Sequence, residues 1–172
     1  MKNISFQNDI LPLKNELYRL ALRITLDHAE AEDVVQETMI KVWNRREQWE
    51  QIESIEAYCL TICRNIALDK TRRMGRQNES LNEESHETVD QSYTANPEEQ
   101  TMQQDRIQLI KRLIESLPEK QRTIMQLRET EGKSYKEIAE IMSITEEQVK
   151  VNLFRGRQTI KQKYIEADKY GL

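Results

Sequence analysis

The chain has 172 residues, 33% of them charged and 6% aromatic, with a formal net charge of −4. That balance excludes a large aromatic core and suits two small helical units built on aliphatic residues. The longest apolar run, residues 57–60, is too short to cross a bilayer, and MKNISFQND lacks the apolar stretch of a secretion signal, so a cytoplasmic protein with no membrane insertion is expected.

Pro12 stands where a first helix should start, and Leu13, Leu17, Leu20 and Ile24 then recur at helical spacing. Asp27 with Glu30 has the spacing of a reciprocal cap for a second helix, whose inner stripe is Val35, Met39 and Val42. Beside that stripe Asp33, Gln36, Glu37 and Lys41 form a polar edge, and spacing alone fits either a solvated face or a partner surface. The loop NRREQWEQIE follows, with Trp43 expected in the core and Trp49 free. A third helix, from Ser54, turns Ile55, Cys59, Ile62 and Ile66 inward and is expected to stop at Gly75. Cys59 and Cys63 have only His28 and His86 as further soft ligands, at no ligand-like spacing, so they read as buried thiols. No metal or cofactor is expected. The third helix ends in a basic cluster, residues 64–76, with five bases and the single acid Asp69. Trp49 and Tyr58 lie near Arg64, Asn65, Arg72, Arg73 and Arg76. Rings that stack on bases, beside cations that follow a backbone, are what single-stranded nucleic acid requires; a core role for Tyr58 is the alternative.

Residues 76–105 contain only five apolar residues, Leu81, Val89, Tyr93, Ala95 and Met102, too few to offset the entropy of ordering. Residues 76–95 therefore read as a flexible acidic tether between domains at 1–75 and 96–172, with Pro97 opening the next helix. Residues 1–75 carry 11 bases and 12 acids, residues 76–108 carry 2 and 8, and residues 109–172 carry 13 and 10. The acidity belongs mostly to the tether.

Pro118 marks another helix start and Gly132 a stop. In the stretch SYKEIAEIMSITEEQVKVNLFRGRQTIKQKY, Ser134 with Glu137 and Thr145 with Gln148 have capping spacing. Ile138, Ala139 and Met142 supply the inner face of a short helix, Ser143 and Ile144 a turn, and Val149, Leu153, Ile160 and Tyr164 the inner face of a second. This is a helix-turn-helix, with small Ala139 allowing close approach and Val149 filling the space between the helices. The second helix of that motif enters the major groove. Facing away from the core are Lys150, Val151, Asn152, Phe154, Arg155 and Arg157: cations for guanine edges and phosphates, an amide for adenine, apolar groups for a thymine methyl. Ser143 stands where glycine would relieve a left-handed backbone, and Gly156 inside the helix implies close packing against a neighbour. A helical hairpin with a solvated basic face is the plainer reading.

Two motifs resemble bacterial RNA polymerase sigma factors of the small, extracytoplasmic-function type. AEDVVQETMIKVW with AYCLTICRNIALDKTRR is similar to their region two. SLPEKQRTIMQLRETEGKSYKEIAEIMSITEEQVKVNLFRGR is similar to region four, its VKVNLFRGR wording most like the Bacteroidetes branch. The resemblance implies an all-α protein of two helical domains, not an enzyme, that binds RNA polymerase core and promoter DNA and is a monomer when free. Asp33, Gln36, Glu37 and Lys41 would dock on the polymerase. The loop around Trp49 would receive a base flipped from the melted minus-ten element, with Tyr58, Arg64, Asn65, Arg72, Arg73 and Arg76 beside it. Lys150, Val151, Asn152, Phe154, Arg155 and Arg157 would read the minus-thirty-five element, on a motif built by Ser134, Ala139, Val149 and Leu153. Val151 and Asn152 replace small polar and basic residues common in the family, and Gly156 replaces the usual alanine. A membrane-anchored anti-sigma factor is a frequent partner that no residue here specifies. The rivals are a stand-alone DNA-binding regulator, which needs no docking edge, a protein-only adaptor, and an enzyme, for which no phosphate loop or paired nucleophile is present.

Overall fold

The computed structural model describes residues 3–80, the last five by their backbone alone, and residues 102–169; every regular element among them is helical. A π-helical turn, Phe6–Ile10, and a 3-10 turn, Leu11–Leu13, lead into α1, Lys14–Thr25. Pro12 sits in that entry turn, where its missing amide hydrogen costs nothing. Asp27 caps α2, His28–Asn44, by accepting from the Glu30 amide at 3.0 Å. The reciprocal half of the expected cap is replaced, because the Glu30 carboxylate turns instead to Lys70 at 3.7 Å.

The third helix, α3, spans Ile55–Ser80 and does not stop at Gly75. Glycine ends a helix by taking positive φ; Gly132 does so at 67°, and Gly75 does not. Residues 76–80, expected in the tether, are therefore helical, while residues 81–101, with Pro97, lie outside the described residues. Leu17, Leu20 and Ile24 of α1 pack against Val34, Val35 and Val42 of α2 and Cys59, Leu60 and Cys63 of α3, all buried. At about 1.5–3 kcal/mol for each fully buried aliphatic side chain, this three-way seam dominates the domain's stability. Burial pushes both thiols up to about 12, and Cys63 donates to the Leu17 carbonyl. They are core residues, as their spacing suggested.

The second domain comprises α4, Met102–Glu115, α5, Glu119–Met125, continued by a π-helical turn, Gln126–Thr130, then α6, Tyr135–Met142, and α7, Glu146–Lys169. Gly156 faces α5: a Cβ there would stand 2.9 Å from Met125 Sδ. That is the close packing its place in mid-helix implied.

The two domains touch, α1 against α5 and α3 against α6. Arg122 of α5 is buried and donates to the Arg23 and Ile24 carbonyls at the end of α1 (2.6 and 3.3 Å), and to Glu115 and Leu117 carbonyls of its own domain (3.2 and 3.0 Å). Burial lowers its pKa. Arg19 grips Glu131 with two bonds of 2.6 and 2.9 Å, and Arg23 Nε donates to Gln126 at 2.9 Å. Lys133 reaches both Glu16, at 2.9 Å, and Glu56. No helix among the described residues is long and apolar enough to cross a membrane.

Candidate nucleic-acid interface

The helix-turn-helix is fixed by local chemistry. Ser134 and Glu137 exchange both bonds of a capping box, 3.1 and 3.0 Å, at the start of α6. Thr145 and Gln148 do the same for α7 at 3.1 and 3.0 Å. Between them Ser143 adopts the left-handed conformation (φ 54°), and the Ile144 amide donates to the Ala139 carbonyl at 3.0 Å, closing the turn. Val149 and Leu153 are buried against Ile138, Ile141 and Met142, with Ala139 half-buried in the crook.

That packing aims one face of α7 at solvent. Lys150, Val151, Phe154, Arg155 and Arg157 are exposed, and Phe154, at 61%, with Val151, at 43%, sets apolar groups among the cations. The six residues are not equally available. Asn152 is half-buried and donates Nδ2 to the Gln148 carbonyl at 2.7 Å, so its amide is spent on its own helix. Arg157 is paired with Glu129, with Nε at 2.8 Å. Arg155 makes no side-chain bond among the described residues and is free to meet a ligand. Sequence reasoning missed two contributors, Arg128 and Tyr135: Arg128 and the expected Lys150 lie over the Tyr135 ring, at 4.4 and 5.7 Å from its centroid, extending the cationic surface onto α6. No periodic signal reports Arg128, because it belongs to the preceding turn.

In the first domain the two tryptophans exchange their expected roles. Trp49 is buried, 7% exposed, and its indole Nε1 donates to the Val42 carbonyl at 3.1 Å. Trp43 is 46% exposed, edge-on to Phe6 and Trp49, with the Arg46 guanidinium 4.8 Å from its ring centroid. The reason is helical phase: Val42 takes the inward position, its neighbour Trp43 is rotated about 100° away, and the loop after α2 folds back so that Trp49 fills the gap. Trp49 thus supports the loop from below instead of standing free upon it.

Along α3, Asn65, Arg72 and Arg73 are exposed, with Asn65 and Arg72 seven apart on one face. Arg72 lies 4.0 Å from Asp69. Tyr58 and Arg64 are half-buried, and their Oη and Nε atoms are buried with no hydrogen-bond partner among the described residues. Tyr58 is thus part core and part surface. The side chain of Arg76 lies outside the described residues. On α2, Asp33, Gln36, Glu37 and Lys41 are exposed as a continuous edge. Glu37 is held by Lys70 at 3.1 Å, and Glu37, Lys41, Lys70 and Arg73 line one open cleft. Burial opposes the charge on Lys70, but Glu37, Glu30 and Asp33 outweigh it and raise its pKa. The polar edge of α2 and the basic end of α3 are therefore one surface, joined through a lysine the sequence offered only as part of a cluster.

Two small helical domains, one ending in a capped helix-turn-helix with a cationic outer face, define a DNA-binding protein. Residues 10–77 match sigma-70 region 2, and residues 107–160 match sigma-70 region 4. The chain is 33% identical over 138 residues to the ECF RNA polymerase sigma factor SigL of Mycobacterium tuberculosis, covering 80% of this chain and 76% of that protein. It is 32% identical over 148 residues to the ECF RNA polymerase sigma factor SigE of Mycolicibacterium smegmatis, covering 86% of this chain but 56% of that protein. It spans only 38% of a further relative, the probable RNA polymerase sigma factor RfaY of Xanthomonas campestris. The sigma factor RpoE from Bartonella quintana, solved in complex with the anti-sigma factor NepR, resembles it with a TM-score of 0.70 and 25% identity, covering 95% of this chain and 98% of that one. The chain belongs to the extracytoplasmic-function sigma factors of the sigma-70 family.

Proposed function

We propose that this chain binds RNA polymerase core in the cytoplasm and directs it to promoters, with residues 1–75 and 96–172 as the two working domains. The polymerase docks on Asp33, Gln36, Glu37 and Lys41 of α2. The loop propped by Trp49, with Tyr58, Arg64, Asn65, Arg72, Arg73 and Arg76, holds the melted minus-ten strand. Flipping a base into that loop costs a few kcal/mol of stacking, which the protein must return. The exposed face of α7, led by Lys150, Val151, Phe154 and Arg155, reads the minus-thirty-five duplex, with Arg157 on phosphate or a neighbouring base. Regulation by an anti-sigma factor fits the likeness to RpoE, which was solved with one.

The observation that carries this reading is the exposed, charged and apolar outer face of a helix whose inner face is packed and whose N-terminus is capped. Phe154, 61% exposed, and Val151, 43% exposed, beside Lys150 and Arg155 give that face both apolar and cationic groups to offer a groove. The test is Glu37→Lys, which inverts the centre of the α2 edge. It should abolish co-purification with polymerase core while circular dichroism remains unchanged; undiminished co-purification would refute the docking assignment and favour a stand-alone regulator.

A further inference from the structure

An open cleft of about 420 Å³ is walled by α1 and the start of α2 on one side and by α4 and the turn after α5 on the other. Its polar lining is organised from behind. Buried Gln126 accepts from Arg23 Nε at 2.9 Å and donates Nε2 to Glu131 at 3.3 Å, and Glu131 in turn takes both bonds of Arg19. Both terminal nitrogens of Arg23, and Nη1 of Arg19, make no hydrogen bond among the described residues. A cation near a helix C-terminus ordinarily serves the last carbonyls. Here those carbonyls are taken: Arg122 donates to Arg23 and Ile24, the Leu26 amide to Leu22, and Thr25 Oγ1 to Ala21. The guanidinium of Arg23 is therefore not spent as a cap. From the second domain exposed Lys111 adds a third cation, and His28, with Nδ1 2.6 Å from Tyr18 Oη, adds an imidazole from the first. The acid among the lining residues, Glu115, spends part of its field on buried Arg122. Leu22 and Leu26 supply an apolar wall. Leu26 ends α1 in the left-handed conformation (φ 56°), where leucine is strained and glycine is not, and it stays 47% exposed.

We propose that this cleft binds a small phosphomonoester with an apolar body, of the class of a nucleoside monophosphate: Arg19, Arg23 and Lys111 take the phosphate, and Leu22 with Leu26 takes the body. The site goes beyond the promoter reading and does not depend on it. Guanidinium forks match the paired oxygens of a phosphate, and three cations facing one acid draw in an anion. The volume is more than a lone ion fills and falls in the range of small-molecule sites, about 300–1,000 Å³. Because Gln126 and Glu131 already fix the two arginines, little side-chain freedom is lost on binding. The strained backbone at Leu26 sets an apolar side chain where the body of the ligand lies.

Isothermal titration calorimetry on the full chain tests the site, with adenosine monophosphate as the probe and inorganic phosphate and adenosine as its two halves. The monophosphate should bind with unit stoichiometry, at least about tenfold tighter than either half. Arg23→Ala removes a charged hydrogen-bond donor and should weaken it about 10- to 150-fold. Should that change disturb the neighbouring helices, two others still decide. Lys111→Glu, at an exposed residue with no bond among the described residues, should weaken binding at least about twofold. Leu26→Gly suits its backbone, so it should leave the melting temperature unchanged or higher while weakening the probe about 3- to 12-fold. No binding of the monophosphate, or an affinity unchanged in both Lys111→Glu and Leu26→Gly, would overturn the site. Inorganic phosphate binding as tightly as the monophosphate would overturn the proposal of an apolar body. Neither polymerase nor promoter enters the measurement, so the docking and promoter assignments stand or fall separately.

Discussion

Arg155 and Arg157 stand two residues apart on the face assigned to promoter DNA, yet their free states differ. Arg155 has no side-chain partner among the described residues, whereas Arg157 is held by Glu129, with the two side chains 51% and 48% exposed. An arginine reading a base edge contributes about 1–3 kcal/mol, so Arg155→Ala should weaken promoter binding about 5- to 150-fold. Arg157 must first leave its carboxylate, and an exposed pair of this kind holds about 0.2–1 kcal/mol. Arg157→Ala should therefore lose less than Arg155→Ala. Conversely, Glu129→Gln should strengthen binding by about 1.4- to 5-fold, the same energy returned. The assay is equilibrium binding of the polymerase holoenzyme to promoter and scrambled duplexes at two salt concentrations. A residue that touches only phosphate loses affinity equally on both and lowers the salt slope by about one. If Arg157→Ala proved the more damaging and Glu129→Gln changed nothing, the ion pair would have no bearing on recognition and this ranking would be wrong.

Ser143→Gly relieves a left-handed serine costing about 1–2 kcal/mol, less about 0.4–1 kcal/mol of added freedom in the unfolded chain. The melting temperature should rise by about 2–4 °C per net kcal/mol, with no gain for Ser143→Ala; a fall would contradict the backbone assignment. Burial raises the pKa of Glu16 against the pull of Lys133, whereas at Glu56 burial is outweighed by bonds to Lys133 and Glu16 and the pKa is lowered. Glu16 thus contributes stability in its protonated form, lost as pH rises through its folded pKa, and Glu56 contributes in its charged form, lost as pH falls through its own. At neutral pH Glu16→Gln should leave the melting temperature unchanged or higher, and Glu56→Gln should lower it; the opposite order would show the carboxylates wrongly ranked. Trp49→Ala should cost about 3–5 kcal/mol in urea unfolding, as for a core tryptophan, and the half-exposed Trp43→Ala distinctly less; equal losses would refute their exchange of roles.

What was legible in the sequence was local or periodic. Ser134 with Glu137 and Thr145 with Gln148 cap their helices because three-residue spacing and a hydroxyl are sufficient instructions. The strain at Ser143 and the tight fit of Gly156 were readable from residue type and place. Trp49 was misread because its position depends on how the loop folds back onto Val42, which no period encodes. Gly75 was misread because glycine permits a helix stop without compelling one. The domain contact was invisible: Lys133 and Glu56 are 77 residues apart, and each alone reads as an ordinary surface charge.

The guanidinium of Arg122 is solvated by four carbonyls and, among the described residues, is paired with no acid. Acidification and dissolved ions therefore act on its neighbours and pass it by, since an amide oxygen has no proton to gain in that range and the site admits little counterion. A change of medium would loosen the rim of this contact and leave its hub seated. Anything able to part the two halves would have to compete for the end of α1 itself.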